Sequence, residues 1–325
     1  MEEIEEKNIK ENENHQNNIK LKYLSHLYPS QNGPDYDLVK TIEEMLLYYG
    51  TTFSIDKIAG LDDIKLYFKE EIILPLSNIE NQKNKKIKNV LLYGAPGTGK
   101  TFLVKSFTNQ DNIKLLNFHP ANLITKLNKE KEKTIRIIFD IAKFYSPSIL
   151  FIDEIDLLFY KGEDEINNEL INQINILNSN QYNNGIKNII ILGATNRPWK
   201  LSDKILGLFE KKIYVPLLKE KERKKLFENE FEKCKLDKSV NLDEIDKMAE
   251  GFTGSDIYEI CQSAMMENIK KKIKEDKDFF EKESSKNTDL ILTMEDISNA
   301  IKNGIKSMRQ KDIDEYKDFE KKYGN

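Results

Sequence analysis

Arginine is scarce in this chain: Arg136, Arg197, Arg223 and Arg309 are the only four among 51 basic residues. Lysine fills the remaining basic positions and asparagine is abundant, a compositional bias that makes lysine the expected replacement wherever a pattern calls for arginine. Cysteine is scarcer still. Cys234 and Cys261 have neither metal-ligand spacing nor the partners for a disulfide framework, and they read as small buried residues of a reduced compartment. Long apolar runs are missing, since none approaches the roughly 18 residues of a membrane-spanning helix. The acidic start Met1-Glu2-Glu3-Ile4-Glu5-Glu6 lacks the basic and apolar regions of a signal peptide. A surplus of positive charge is missing too. The net charge of −4 argues against a nucleic-acid partner held by bulk electrostatics, while a local basic face stays open. The absences together predict a cytoplasmic protein with no membrane insertion and no nucleic-acid partner.

What is present suits a globular protein with a heavily solvated surface: 325 residues, 33% charged and 39% hydrophobic, enough for two or three compact domains. Residues 1–34 are rich in Glu, Asn and Lys and close in Pro29-Ser30-Gln31-Asn32-Gly33-Pro34. Such a stretch buries too little surface to offset its ordering entropy, so it is read as a low-complexity, fraying tail with one short helix over residues 19–24, in preference to a docking peptide. From 35 to 218, short apolar runs at residues 90–93, 114–118, 149–152, 189–192 and 213–215 alternate with helix-length segments such as 101–108 and 134–144. That alternation predicts an α/β fold with a five-stranded parallel sheet between helices. Beyond Pro216 the strand signals stop and helical periodicity takes over at 219–233, 242–250, 255–274 and 294–305, predicting a small all-helical unit over 219–305. Residues 306–325 end the chain with one more amphipathic helix.

Three motifs carry chemistry. Gly94-Ala95-Pro96-Gly97-Thr98-Gly99-Lys100-Thr101 follows an apolar strand and opens a helix that continues with Phe102, the context that makes it a phosphate-binding loop. Its glycines let successive N–H groups turn toward phosphates, Lys100 reaches the β- and γ-phosphates of ATP, and the Thr101 hydroxyl is placed for Mg2+. About 50 residues on, a buried strand ends in Asp153-Glu154. Asp153 is assigned to the metal through water, and Glu154 to polarising the attacking water. Strand alternation sends the two carboxylates in different directions. The third motif, Gly193-Ala194-Thr195-Asn196-Arg197-Pro198, delivers Asn196 to the same sheet edge, where it can orient the water and sense the γ-phosphate. His119, in a Phe-His-Pro turn, reads as structural.

These motifs, in this order and with an appended helical unit, resemble the AAA family of ring-forming ATPases from about Asp35 to the C-terminus. The resemblance implies that Phe53-Ser54-Ile55-Asp56-Lys57-Ile58-Ala59-Gly60-Leu61 lines the adenine pocket through Ile58 and Gly60, and that Gly251-Phe252-Thr253-Gly254-Ser255-Asp256-Ile257 supplies a lid contact through Gly254 and Ser255. Phe144-Tyr145-Ser146-Pro147-Ser148, Ile213-Tyr214-Val215-Pro216-Leu217 and the C-terminal stretch look like the katanin, spastin and fidgetin group. The katanin catalytic subunit is closest, with the ESCRT-disassembly ATPase as rival. In that group the final helix packs back on the large domain and helps a hexamer assemble. Trp199 resembles a packing residue of the family. The implied partners are AAA subunits of a homo- or hetero-hexamer and a polypeptide substrate such as tubulin tails, and the implied setting is the cytoplasm and cytoskeleton.

The sequence departs from the family in four places. Arginine fingers, which enter the neighbour's ATP site, fall at Leu206, Gly207 and Leu208, a change that lysine bias does not explain. Lys211 and Lys212 are read as solvated charges flanking a strand, not as substitutes. The pore-loop aromatic is Leu127, following the retained Lys126. Lys161-Gly162-Glu163-Asp164-Glu165-Ile166-Asn167-Asn168 is acidic and would repel acidic tails. The 34 residues before the module are too few for a three-helix targeting domain, so targeting is expected from another chain. Two expectations follow: a katanin-like ATPase that pulls on a protein tail, or an ATP-binding regulatory subunit of a mixed ring.

Overall fold

The computed structural model describes residues 34–47, 55, 58–77, 88–107, 113–121, 130–159, 164–183, 189–232, 234–275 and 291–324. Residues 1–33 of the expected tail, residues 53, 54, 56 and 57 of the expected adenine-lining segment, most of the pore loop and residues 161–163 of the acidic segment lie outside them. Five strands, β1 (Val90–Tyr93), β2 (Lys114–Phe118), β3 (Ser148–Ile152), β4 (Ile189–Thr195) and β5 (Lys211–Tyr214), form one parallel sheet in the order β2-β3-β4-β1-β5.

The strands are apolar on both sides because both faces are covered. Their side chains alternate between two cores. Leu91, Tyr93, Leu150, Ile152 and Ile191 enter one, while Val90, Leu92, Ile149, Phe151 and Leu192 enter the other. Each such side chain, fully buried, stabilises the fold by about 1.5–3 kcal/mol. The first core is covered by α1 (Pro34–Leu46), through Val39, Ile42 and Leu46, and by α4 (Lys131–Phe144), through Ile135, Ile138 and Phe139. The second lies under a continuous helical run, Asp62–Tyr67, Phe68–Ile73 and Leu74–Ser77 (α2), and under α3 (Lys100–Phe107). Helix α5 (Asp164–Asn183) packs on α4, and a single-turn helix, α6 (Asp203–Leu206), leads into β5.

Two strands run beyond their sequence signals. β4 continues past its apolar run through Gly193-Ala194-Thr195. A Cβ at Gly193 would come within 2.9 Å of the Phe209 ring, so glycine there serves packing. β5 begins at Lys211 and includes both lysines, as an edge strand tolerates. Neither lysine is a solvated flank. The Lys212 ammonium donates to the Phe209 carbonyl at 2.9 Å, and Lys211 lies 5.8 Å over the Tyr67 ring.

A third core joins α7 (Glu220–Phe231), α8 (Leu242–Met248), α9 (Gly254–Glu275) and α10 (Met294–Asn303) around Phe227, Ile245, Ile257 and Ile297. It also holds a two-residue parallel pairing, Lys235–Leu236 (β6) with Ile291–Leu292 (β7), which lies between the expected helical segments and is too short to leave a periodic signal, so the unit is not all-helical as expected. The last helix, α11 (Gln310–Tyr323), buries Tyr316 and Phe319 in the first core beside Tyr93. Two of the four arginines grip a carboxylate with two prongs, a geometry lysine cannot reproduce. Arg136 reaches the Glu169 carboxylate at 2.8 and 3.3 Å, and Arg223 reaches that of Asp246 at 2.8 and 3.1 Å.

Candidate functional site

Parallel register decides where the motifs meet. Tyr93 pairs with Thr195, Ile152 with Gly193, and Phe118 with Ile152, so the segments leaving β1, β2, β3 and β4 emerge side by side at the C-terminal edge of the sheet. Ligands of open α/β sheets bind at that edge. A cavity of about 600 Å³ opens there.

Of the residues singled out from sequence, Ile58, Pro96, Gly97, Thr98, Gly99, Lys100, Thr101, Phe102, Asp153, Glu154, Asn196, Gly254 and Ser255 line this cavity. Gly60, Gly94 and Ala95 stand behind its wall. The Gly94 and Ala95 carbonyls accept from the Lys100 ammonium at 2.8 and 2.7 Å, and Gly60, at φ 67°, packs against Glu222. Leu218, Leu226, Glu230 and Tyr258, unmarked by any sequence motif, complete the wall from the helical side. Leu226 and Glu230 lie one turn apart on α7, and Tyr258 one turn beyond Gly254, so helical spacing was the signal that could have found them.

The loop of residues 94–101 is shaped by positive φ: 77° at Gly97 and 94° at Gly99. At Gly99 a Cβ would meet nothing within 4 Å, so the backbone there borders open space of the kind a phosphate cradle needs. At Gly97 a Cβ would come within 2.6 Å of the Thr253 hydroxyl and 2.8 Å of Ser255 Cβ. That closeness lets the Ser255 N–H donate to the Gly97 carbonyl at 3.1 Å, docking the first turn of α9 onto the loop.

The Thr101 hydroxyl donates to Asp153 Oδ2 at 2.8 Å, which brings together the two side chains assigned to the metal. Asp153 and Glu154 do diverge, but β3 ends at Ile152, so strand alternation is not the cause. Glu154 has φ 51°, a left-handed backbone, and its N–H donates to Asp153 Oδ1 at 3.1 Å. Among the described residues the other non-glycine with positive φ is Leu61, at 60°, and it lines the same cavity. Strain of this kind concentrates where function over-determines the backbone.

His119 is not an isolated turn residue. Register sets it beside the end of β3, and its Nε2 lies 3.3 Å from Glu154 Oε2. The Ala121 N–H donates to His119 Nδ1 at 3.4 Å, leaving Nε2 on the side of the carboxylate. On the β4 side, the Thr195 hydroxyl donates to Asp156 Oδ1 at 2.7 Å and accepts from the Arg197 N–H at 3.0 Å, fixing the loop that carries Asn196.

Burial pushes the Lys100 ammonium down from its ordinary 10.5 to about 8, opposed by the carboxylates of Asp153, Asp156 and Glu154. The folded lysine therefore releases its proton near pH 8 and the unfolded one near 10.5. Between those values the unfolded state binds more protons, so stability rises with pH across that window. Denaturant midpoints of the nucleotide-free protein are expected to climb from about pH 8 to about 10.5, and Lys100→Met is expected to flatten the climb.

The donor set fits ATP with magnesium. A partly desolvated ammonium borders a glycine-turned backbone that faces open space. Among the described residues no group of three or more His, Cys, Asp or Glu side chains could hold a metal by itself. Magnesium does not need one, because it is commonly held by one or two side chains, with water and phosphate completing its octahedron. Thr101 and Asp153 supply that number. No helix among the described residues is long and apolar enough to cross a membrane.

Comparison with known proteins agrees with this geometry. The ATPase family associated with various cellular activities (AAA) matches residues 90–217, and the AAA+ lid domain matches residues 239–282. The chain is 29% identical over 305 residues to the A-like 1 form of the katanin p60 ATPase-containing subunit from Rattus norvegicus, covering 90% of this chain and 62% of that protein. It is 33% identical over 253 residues to the A1 form of the same subunit from Arabidopsis thaliana, covering 74% of this chain and 48% of that one. The chain thus spans less than two thirds of the length of these two relatives. Among solved structures, the FIGL-1 AAA domain in complex with ADP superposes with a TM-score of 0.77 at 26% identity, over 91% of this chain and 99% of that one. A structure titled for katanin self-assembly gives 0.69 at 25% identity, over 87% and 96%. The chain belongs to the AAA family of ATPases, and within it is similar to the katanin and fidgetin group.

Proposed function

We propose that this chain binds Mg·ATP in the sheet-edge cavity and hydrolyses it as one subunit of an AAA ring that works on a polypeptide, as a katanin-like remodelling or severing subunit. The observation that carries the reading is convergence. Lys100, Thr101, Asp153, Glu154 and Asn196, drawn from three separate segments, line one cavity. When bound, magnesium withdraws charge from the phosphates and makes the terminal one attackable. The chain's own part is to hold and to orient. The N–H groups of residues 97–101 and the Lys100 ammonium would hold the phosphates, with Thr101 and Asp153 holding the metal. Glu154 would take the proton of a water molecule, and Asn196 would orient that water. The apolar wall of Ile58, Leu218 and Leu226 and the half-exposed Tyr258 ring would cover the adenine.

Lys100→Ala tests this reading. Charge-assisted hydrogen bonds to phosphate would be lost, so the Mg·ATP dissociation constant is expected to rise about 10- to 100-fold. Calorimetry on folded protein measures it, and affinity equal to the unaltered chain's would refute the proposal.

A specific observation favours a mixed ring. Leu206 and Leu208, at the expected finger positions, are 3% and 9% exposed and belong to the first core, and Gly207 between them carries no side chain. None of the three can reach a neighbouring subunit. In this second reading the chain is an ATP-binding regulatory or assembly subunit whose turnover depends on a partner that bears the arginines. The polymer handled by either assembly is proposed to be cytoskeletal, with tubulin tails as the first candidate and an ESCRT-type filament as the alternative. Co-sedimentation with microtubules, with and without tubulin tails, separates the two.

A further inference from the structure

Asn196 is held in place from outside the cavity. The Tyr316 hydroxyl, on α11 and 120 residues away in sequence, donates to the Asn196 carbonyl oxygen at 2.5 Å. Tyr316 is buried, and its ring is gripped by Trp199, at 5.1 Å between centroids, and by Tyr214, at 5.8 Å. Burial also drives the phenol pKa upward, so the hydroxyl remains a donor across the working pH range. We propose that Tyr316 is a positioning residue for Asn196, its hydroxyl fixing the peptide that carries the Asn196 amide so that this side chain meets the terminal phosphate and tells ATP from ADP.

The same C-terminal segment is tied to the helical unit. The Ser307 hydroxyl donates to Asp256 Oδ1, and the Ser307 N–H to Asp256 Oδ2 at 3.2 Å. Asp256 stands in the first turn of α9, next to the Ser255 N–H that docks on Gly97. One segment therefore touches the helix that closes on the phosphate loop and the residue that faces it across the cavity. The proposal rests on the nucleotide-binding reading of Asn196, and its test is arranged so that the two can fail separately.

The test is calorimetric titration of the full chain with Mg·ADP and with a non-hydrolysable Mg·ATP analogue. Tyr316→Phe keeps the ring stack and removes only the hydroxyl. It is expected to leave ADP affinity unchanged and to cut the preference for the ATP analogue about three- to tenfold, the size of one buried hydrogen bond. Asn196→Ala should cut it similarly, and the double variant no further than the larger single one. Tyr323→Phe is the control, because the Tyr323 hydroxyl donates to Asp203 Oδ1 at 2.6 Å and anchors the same helix without touching Asn196. It should keep the preference. In the unaltered protein the single tryptophan, Trp199, lies against Tyr316 and should change its emission with the ATP analogue but not with ADP. Normal preference in Tyr316→Phe or in Asn196→Ala, equal loss in Tyr323→Phe, or equal emission responses to both nucleotides would each overturn the proposal. Absence of binding by the unaltered chain would instead overturn the nucleotide reading itself, and this proposal with it.

Discussion

Mixed with an AAA homologue that carries arginines at the positions of Leu206, Gly207 and Leu208, the chain is expected to turn over ATP about 10³- to 10⁵-fold faster than alone, the range an arginine finger contributes. The physical reason is where charge develops. In the proposed ring, the oxygens of the transferring terminal phosphoryl group would need a cation supplied by the neighbouring subunit. The Lys100 ammonium is held by the Gly94 and Ala95 carbonyls of the phosphate loop. In this chain the stretch before β5 turns inward, with Ile205, Leu206 and Phe209 in the core and Leu208 9% exposed. Lys211 and Lys212 are engaged along β5 by Tyr67 and the Phe209 carbonyl. To attribute the turnover to this chain's own sites, the homologue should carry Gln in place of its own water-activating Glu. Fast hydrolysis by the chain alone, unchanged by the homologue, would rule out the mixed-ring reading.

Glu154→Gln is expected to lower turnover in that mixture about 10²- to 10⁴-fold, the usual contribution of a positioned general base. Glutamine keeps the length and polarity of the side chain but cannot take a proton from water. Nucleotide affinity should stay near that of the unaltered chain, because Glu154 touches neither the phosphate loop nor the Thr101–Asp153 pair directly through its carboxylate: the described contact of that group is with His119, at 3.3 Å. The expected signature is thus a collapse in kcat with little change in binding, measured by phosphate release and by calorimetry. Should Glu154→Gln hydrolyse ATP normally, another group activates the water, and the assignment of roles at the end of β3 is wrong.

The sequence revealed more of the phosphate end of the site than of the base end, for a physical reason. Phosphate chemistry depends on local backbone shape, so Gly94-Ala95-Pro96-Gly97-Thr98-Gly99-Lys100-Thr101 carries its own geometry in consecutive residues. The wall proposed to cover the adenine draws on two helices whose cavity-lining residues, Leu226 and Tyr258, look like ordinary helix positions until packing brings them over the loop. His119 illustrates register. Nothing beside it in sequence marks it, yet pairing Phe118 with Ile152 necessarily sets it near Glu154. The left-handed backbone at Glu154 and the hydroxyl of Tyr316 on the Asn196 carbonyl are long-range consequences of packing, with no local pattern to announce them. Strand positions were legible because complete burial forces apolar runs. Their ends were less so, since Gly193 lies beyond the apolar run yet is a packing necessity within β4, and Lys211 reads as a flank yet begins an edge strand.

The central claim is that the cavity at the C-terminal edge of the sheet takes Mg·ATP. Isothermal titration of the folded, nucleotide-free chain with a non-hydrolysable ATP analogue, with and without Mg2+, addresses it most directly. One saturable site per chain, tighter with Mg2+ and weakened by Lys100→Ala, is the predicted result. Folded protein that takes up no nucleotide under either condition would contradict it.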